Sequence, residues 1–205
     1  RVGGTWQLPE YAHRPMVFLA ERHSNLSARF LGTSIAANTQ GPDALRIALD
    51  TLFNHANVGP FFARQMIQRL VTGNPSPTYV ARVAAKFNDN GAGVRGDLKA
   101  VWKAIFLDDE ARGDASLAST THGKVREPMI RVFQWARTFG LQSAYGTWKL
   151  SYTNWDPQTN VAQVPFRSPS VFNCFLPGYL PPGTALGDSG ATAPEFQIVN
   201  ETTIP

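Results

Sequence analysis

Between Asp43 and Gly140 the apolar residues recur at the helical period of about 3.6 residues, and glycine or proline interrupts them often enough to require several separate helices. Leu45, Ala48, Leu49, Leu52 and Phe53 form one stripe after Gly41-Pro42, which predicts an amphipathic helix over 43–54. A second helix is predicted from Pro60 to Thr72. Its apolar row is Phe62, Met66 and Leu70, its opposite face holds Arg64, Gln65, Gln68 and Arg69, and Gly73 is its stop. Ser76 is placed to cap a third helix opened by Pro77, with Val80, Val83, Ala84 and Phe87 facing the core and Gly91 as the exit. Asp97 caps a fourth over 98–109, whose buried face is Leu98, Val101, Trp102, Ile105 and Phe106. After a loop over 113–124, Pro128 opens a fifth helix through Phe139. There Ile130, Phe133 and Ala136 share one face, Trp135 and Phe139 share another, and Gly140 ends the helix.

The flanks lack this period. Residues 1–42 are irregular apart from short strands predicted in MVFLA (16–20) and ARFLG (28–32), and 141–205 is rich in Gly, Pro, Ser and aromatics, with one short helix predicted over 169–175. The expected fold class is mainly α: a bundle of about five to six helices between long irregular Gly/Pro/aromatic-rich N- and C-terminal segments. It reads as one domain over 1–205, divided into an irregular leading segment 1–42, a helical core 43–140 and a loop-rich aromatic segment 141–205.

Composition excludes several functions. With 43% hydrophobic residues in a chain of 205 there is enough apolar material for a core, and no run reaches the roughly 18 apolar residues of a membrane-spanning helix. Nineteen Lys+Arg against 15 Asp+Glu give a net charge of +4 without a dense basic patch, so nucleic acid is not an expected partner. Cys174 is the only cysteine, which excludes an internal disulfide and any multi-cysteine metal site, and no metal or cofactor is expected. The chain opens at Arg1 without a signal-peptide pattern, and both ends read as interrupted.

Four ordered stretches, LFNHANVGPFFARQMIQRLVTGNPSPTYVARVAAKF, GVRGDLKAVWKAIFLDDEAR, GKVREPMIRVFQWARTFG and RSPSVFNCFLPGYLPPG, resemble the bacterial family catalogued as domain of unknown function 1800. The resemblance covers nearly the whole chain. It implies that these residues correspond to the C-terminal half of a longer, mostly helical, exported bacterial protein lacking its last helix. Such a protein would sit in the periplasm or at the cell surface, with the remainder of its own chain and a sulfatase-like uncharacterised protein as partners. The resemblance implies no reaction. Many members have His-Asp, then Lys four residues after the Asp, then FLG. This chain has His23, Ser24 and Ala28 before RFLG, so only the histidine of that set is kept.

Candidate chemistry is sparse. His23 has the titration range of a general base or metal ligand, while a lone histidine more commonly hydrogen-bonds a turn. His55, at a helix end, reads as a cap. THGKVREP places His122, Lys124 and Arg126 around a glycine before a helix N-terminus, which suits an anion. The alternative is that Glu127 caps the helix and Arg126 pairs with Asp108, Asp109 or Glu110. Those three carboxylates are adjacent in sequence and point apart, so they do not flank one bond as glycosidase carboxylates do. Arg95-Gly96-Asp97 matches an adhesion tripeptide, yet Asp97 is explained as a cap. Ser189 in GDSG reads as a loop serine, and Cys174, between Phe172 and Phe175, as a buried inert thiol. Trp148, Tyr152, Trp155 and Tyr179 would either stack on a ligand or pin the irregular segment to the helices.

The expected function is a helical binding or assembly module of a larger cell-surface or periplasmic complex. The alternative is a hydrolase of an extracellular polymer or ester. Its site would be shared with a missing N-terminal half and would use His23 and Glu127 with Lys124 and Arg126.

Overall fold

A computed structural model describes residues 17–144, 162–163 and 168–199. The protein is mainly α, with eight α-helices and one two-stranded sheet among the described residues. Its contacts divide into two compact units, Arg1–Val58 and Gly59–Pro205.

In the first unit, residues 17–20 form no strand. Ala20–Arg22 is a single 3-10 turn instead. The predicted strand at 28–32 becomes a hairpin, because β1 (Ala28–Phe30) pairs antiparallel with β2 (Thr33–Ile35). Leu31 and Gly32 make the turn with φ of 47° and 80°, so both central residues occupy the positive-φ region that tight hairpins require. Helix α1 (Gly41–Asn54) follows, opened by Pro42. Its apolar stripe forms but is not covered: Leu45, Leu49, Leu52 and Phe53 are 58%, 56%, 49% and 43% exposed. Periodicity specifies which face is apolar, and only tertiary packing supplies a neighbour for it.

The core lies in the second unit. On α2 (Val58–Leu70) the buried row is Gly59, Ala63 and Ile67, one position away from the row read in the sequence. Phe62 and Met66 are half-buried at its edge and Leu70 is exposed. Gly59 and Ala63 allow close approach of the neighbouring backbone, since a Cβ on Gly59 would already lie 3.4 Å from the Ala84 carbonyl. Helix α3 (Pro77–Asn88) starts as predicted, with Ser76 Oγ accepting from the Tyr79 N–H at 3.1 Å. It buries Tyr79, Val83, Ala84 and Phe87, so Tyr79 displaces Val80 from the inner row. The Tyr79 hydroxyl donates to the Ile105 carbonyl at 2.6 Å, and its burial pushes the phenol pKa up.

Asp97 caps α4 (Leu98–Phe106), accepting from the N–H groups of Lys99 and Ala100 at 3.0 and 3.3 Å. Val101 and Ile105 are fully buried, each stabilising by roughly 1.5–3 kcal/mol, whereas Leu98 and Phe106 face solvent. Phe62 ties the three helices together, its ring 5.4 Å from Phe87 and 6.0 Å from Trp102.

The stretch read as a loop over 113–124 instead begins with a short helix. Helices α5 (Asp109–Arg112) and α6 (Asp114–Ala118) succeed one another, with the Asp108 carboxylate capping the first. Helix α7 (Pro128–Thr138) closes as predicted: the Gly140 and Leu141 N–H groups donate to the Arg137 and Ala136 carbonyls, and Gly140 has φ +60°. Pro128 is its only buried residue, and Ile130, Phe133, Trp135 and Phe139 all remain exposed. The helix predicted over 169–175 is absent from its described residues. Asn173 has φ 77° and bridges to Ser170, which is a turn and not helical geometry. The described chain ends through α8 (Ala185–Asp188) and a 3-10 turn, Pro194–Gln197.

Arg82 clamps Asp108 through two hydrogen bonds of 2.7 and 2.6 Å, and this holds the carboxyl below its ordinary pKa. A depressed carboxylate pKa contributes stability above the unfolded value of about 3.9 and loses it as pH falls through the folded value. Asp108→Asn keeps a capping oxygen but removes the charge. It is expected to lower the unfolding free energy by about 1 kcal/mol at pH 7, a modest figure because Arg82 is half exposed. Urea titrations of both proteins from neutral to acid pH check this, with the difference closing only in the acid range.

Candidate functional site

The polar groups that support the site meet at the C-terminal end of α2. Gln68 is buried there, and its amide donates to the Gly73 carbonyl at 3.0 Å and the Pro177 carbonyl at 2.8 Å. Lys124 Nζ reaches in to donate to the Gln68 carbonyl at 3.3 Å and to Glu195 Oε1 at 2.6 Å. Glu195 is 1% exposed and the Lys124 side chain 13%, so this is a buried ion pair. Gly73 does not stop α2 by a left-handed turn. A Cβ there would lie 3.3 Å from Pro194 Cδ and 3.4 Å from the Thr192 carbonyl, a tight approach to the 192–194 segment.

A second pair lies beside the first. Arg69 donates to Glu127 Oε1 at 3.2 Å and to the Phe172 carbonyl at 3.2 Å, while its guanidinium stacks 4.0 Å over the Phe175 ring. Glu127 occupies the N-cap position of α7 without making the cap bond; its other oxygen accepts from Gln163 at 2.5 Å.

These internal bonds fix the outer wall of a groove. Phe61, Arg64 and Gln65 on α2 form one side, and Phe172 with Leu176 to Leu180 forms the other, around a volume of about 690 Å³. Leu176 N–H donates to Gln197 Oε1 at 2.8 Å, and the Tyr179 carbonyl accepts from Ala193 N–H at 3.0 Å. The wall is therefore held by the fold before anything binds. Phe61 and Phe172 approach across it with ring centroids 6.1 Å apart. Arg64 is exposed at the rim, and its one hydrogen bond among the described residues is a long 3.5 Å contact to the Pro177 carbonyl.

The residues singled out in the sequence are dispersed. His23 lies in the first unit, its ring nitrogen 3.1 Å from the Thr39 carbonyl and its ring 5.4 Å from that of Phe18 in a T-shaped pair, which is a turn-stabilising role. His55 Nδ1 accepts from the Asn57 N–H at 3.2 Å, beside the end of α1. His122 and Lys124 share the walls of a cleft of about 240 Å³, and His122 also borders a larger cleft with Asp109 and Glu110. Arg126 is exposed and does not join them, and Asp108 is taken by Arg82. Cys174 is half-buried, not fully enclosed. Ser189 Oγ donates to the Leu186 carbonyl at 2.8 Å in the last turn of α8. Tyr179 lines the groove, while Trp148, Tyr152 and Trp155 lie outside the described residues.

Glu195 carries no local signal of its partner in the sequence APEFQ. Helical periodicity places Gln68 and Arg69 on a water-facing side, although the fold buries one and half-buries the other. The Pro- and Gly-rich LPGYLPPG was the available pointer to a fixed loop. Among the described residues no group of three or more His, Cys, Asp or Glu is arranged to hold a metal ion. No described helix is long and apolar enough to cross a membrane.

The fold and groove define a mainly α-helical protein with a preformed apolar cleft. The family described as "Protein of unknown function (DUF1800)" matches over residues 4–204, nearly the whole chain, and the protein belongs to that family. Nothing matches among curated proteins or among solved structures.

Removing one partner of a buried ion pair leaves the other charged and unsolvated. Glu195→Ala is expected to lower the unfolding free energy by about 3–5 kcal/mol. Adding Lys124→Met should recover part of that loss, since the stranded ammonium is then gone. Chemical denaturation of the two single variants and the double variant reads the coupling directly.

Proposed function

We propose that this protein is a helical binding or assembly module that works outside the bacterial cytoplasm within a larger complex. The observation that carries the reading is the apolar groove between α2 and the hydrogen-bonded 172–180 wall, set against the charges of Glu127 and Lys124, which are spent inside the fold. Glu127 is occupied by Arg69 and Gln163, and Lys124 by Glu195 and the Gln68 carbonyl. A general acid or base must reach its substrate, and these groups reach their neighbours instead. A preformed apolar cleft with few polar groups is the usual form of a binding site. Location outside the cytoplasm and a sulfatase-like partner rest on the family resemblance, and a chain with a single thiol is compatible with export.

A photo-reactive amino acid introduced at Phe61 in the intact protein, in the producing cell, tests the reading. It should give one discrete adduct in the envelope fraction, and the same label at Lys103 on α4 should give none. The hydrolase alternative predicts instead that the intact protein turns over members of an ester, glycan and peptide panel and that His23→Ala or Glu127→Ala abolishes the turnover. Turnover of that kind, without an adduct, overturns the proposal.

A further inference from the structure

The groove also indicates what it takes, an inference that rests on the binding reading above. Among the described residues its lining contains one formal charge, Arg64, and no carboxylate. That guanidinium is exposed and holds a single long hydrogen bond, in contrast to Arg69 five residues on, whose donors go to Glu127 and the Phe172 carbonyl and whose face covers Phe175. Arg64 is thus an uncommitted planar donor at the edge of an apolar cleft, with the geometry to accept a carboxylate through two N–H groups.

The rest of the lining argues for the other half of the ligand. Phe61, Phe172, Leu176, Pro177 and Leu180 offer apolar surface, and the polar side chains beside Arg64 are Gln65 and Tyr179. Few donors and acceptors are present to replace the water around sugar hydroxyls, so burying a glycan here would leave many polar groups unsatisfied. An aliphatic or aromatic side chain carries no such cost. Because the wall is fixed by Gln68, Gln197 and the Ala193 N–H, binding requires little ordering of the protein.

We propose that the groove binds a peptide segment that places an apolar side chain between Phe61 and Tyr179 and a carboxylate on Arg64. The occupant is therefore an acidic-apolar stretch of another protein.

Fluorescence anisotropy on the unaltered full chain tests this with two labelled dodecapeptides of the same apolar sequence, one alternating Leu and Phe with Asp and the other with Lys. A glucose hexasaccharide serves as the glycan probe. The Asp peptide should bind about tenfold or more tightly than the Lys peptide, with the gap shrinking as salt is raised. Arg64→Glu should remove or invert the preference, and Tyr179→Ala should weaken both peptides together. Thermal midpoints of the variants confirm that they remain folded, and the peptide pair on the unaltered protein decides the charge preference without them. Equal binding of the two peptides, no binding of either, or binding of the hexasaccharide alone overturns the proposal. A discrete adduct at Phe61 alongside equal peptide affinities would sink this occupant and leave the binding module standing. Loss of the adduct as well would sink both.

Discussion

The second unit depends on one buried polar junction at the end of α2. The Gln68 amide donates there to the Gly73 and Pro177 carbonyls, and Lys124 donates to the Gln68 carbonyl and to Glu195. A Lys–Glu pair taken out of water is unfavourable unless its remaining donors and acceptors are satisfied, so each group fixes the placement of the next. Thr72 adds two bonds to Gly123, and Thr192 bonds Gly73 and Asn74. Segments far apart in sequence, near 72, 124, 177 and 195, are thereby tied to a single helix terminus. No buried side-chain nitrogen or oxygen among the described residues is left without a partner, as a network of this kind requires.

The groove is a by-product of that junction. The bonds that satisfy Gln68 and Arg69 also hold the Pro177 and Phe172 carbonyls, which sets the wall facing Phe61. Close backbone approach continues the same constraint further along, where a Cβ on Gly187 would lie 2.1 Å from the Pro181 carbonyl oxygen. A surface built in this way has its shape before a ligand arrives. It binds by matching that shape and exposing apolar area, and it does not require charged groups that the fold has already consumed.

The apolar faces left outside the core divide into two kinds. The α1 stripe in the first unit is exposed along its length although its apolar residues recur at a clear helical period. On α7 the rings of Trp135 and Phe139 cover one another at 5.5 Å, a local pairing that only partly replaces a neighbour. In the second unit, by contrast, α3 and α4 pack tightly through Tyr79, Val83, Val101 and Ile105. Amphipathic helices thus differ in burial, since burial depends on which other element lies opposite.

What the sequence determined by itself was local. Ser76 and Asp97 as caps, Pro77 and Pro128 as openings, and the Gly140 stop follow from backbone donors and φ limits that act within a few residues, and all appear where read. The mainly α class and the family were legible for the same reason, as ordered short-range patterns. Only the tertiary structure decided that Ala63 and Ile67 take the centre of α2 in place of Met66 and Leu70. It alone showed that Lys124 faces Glu195 and that Phe61 and Arg64 border a groove. These are contacts between residues tens of positions apart, set by packing volume and by the cost of burying charge, and no short-range pattern encodes them.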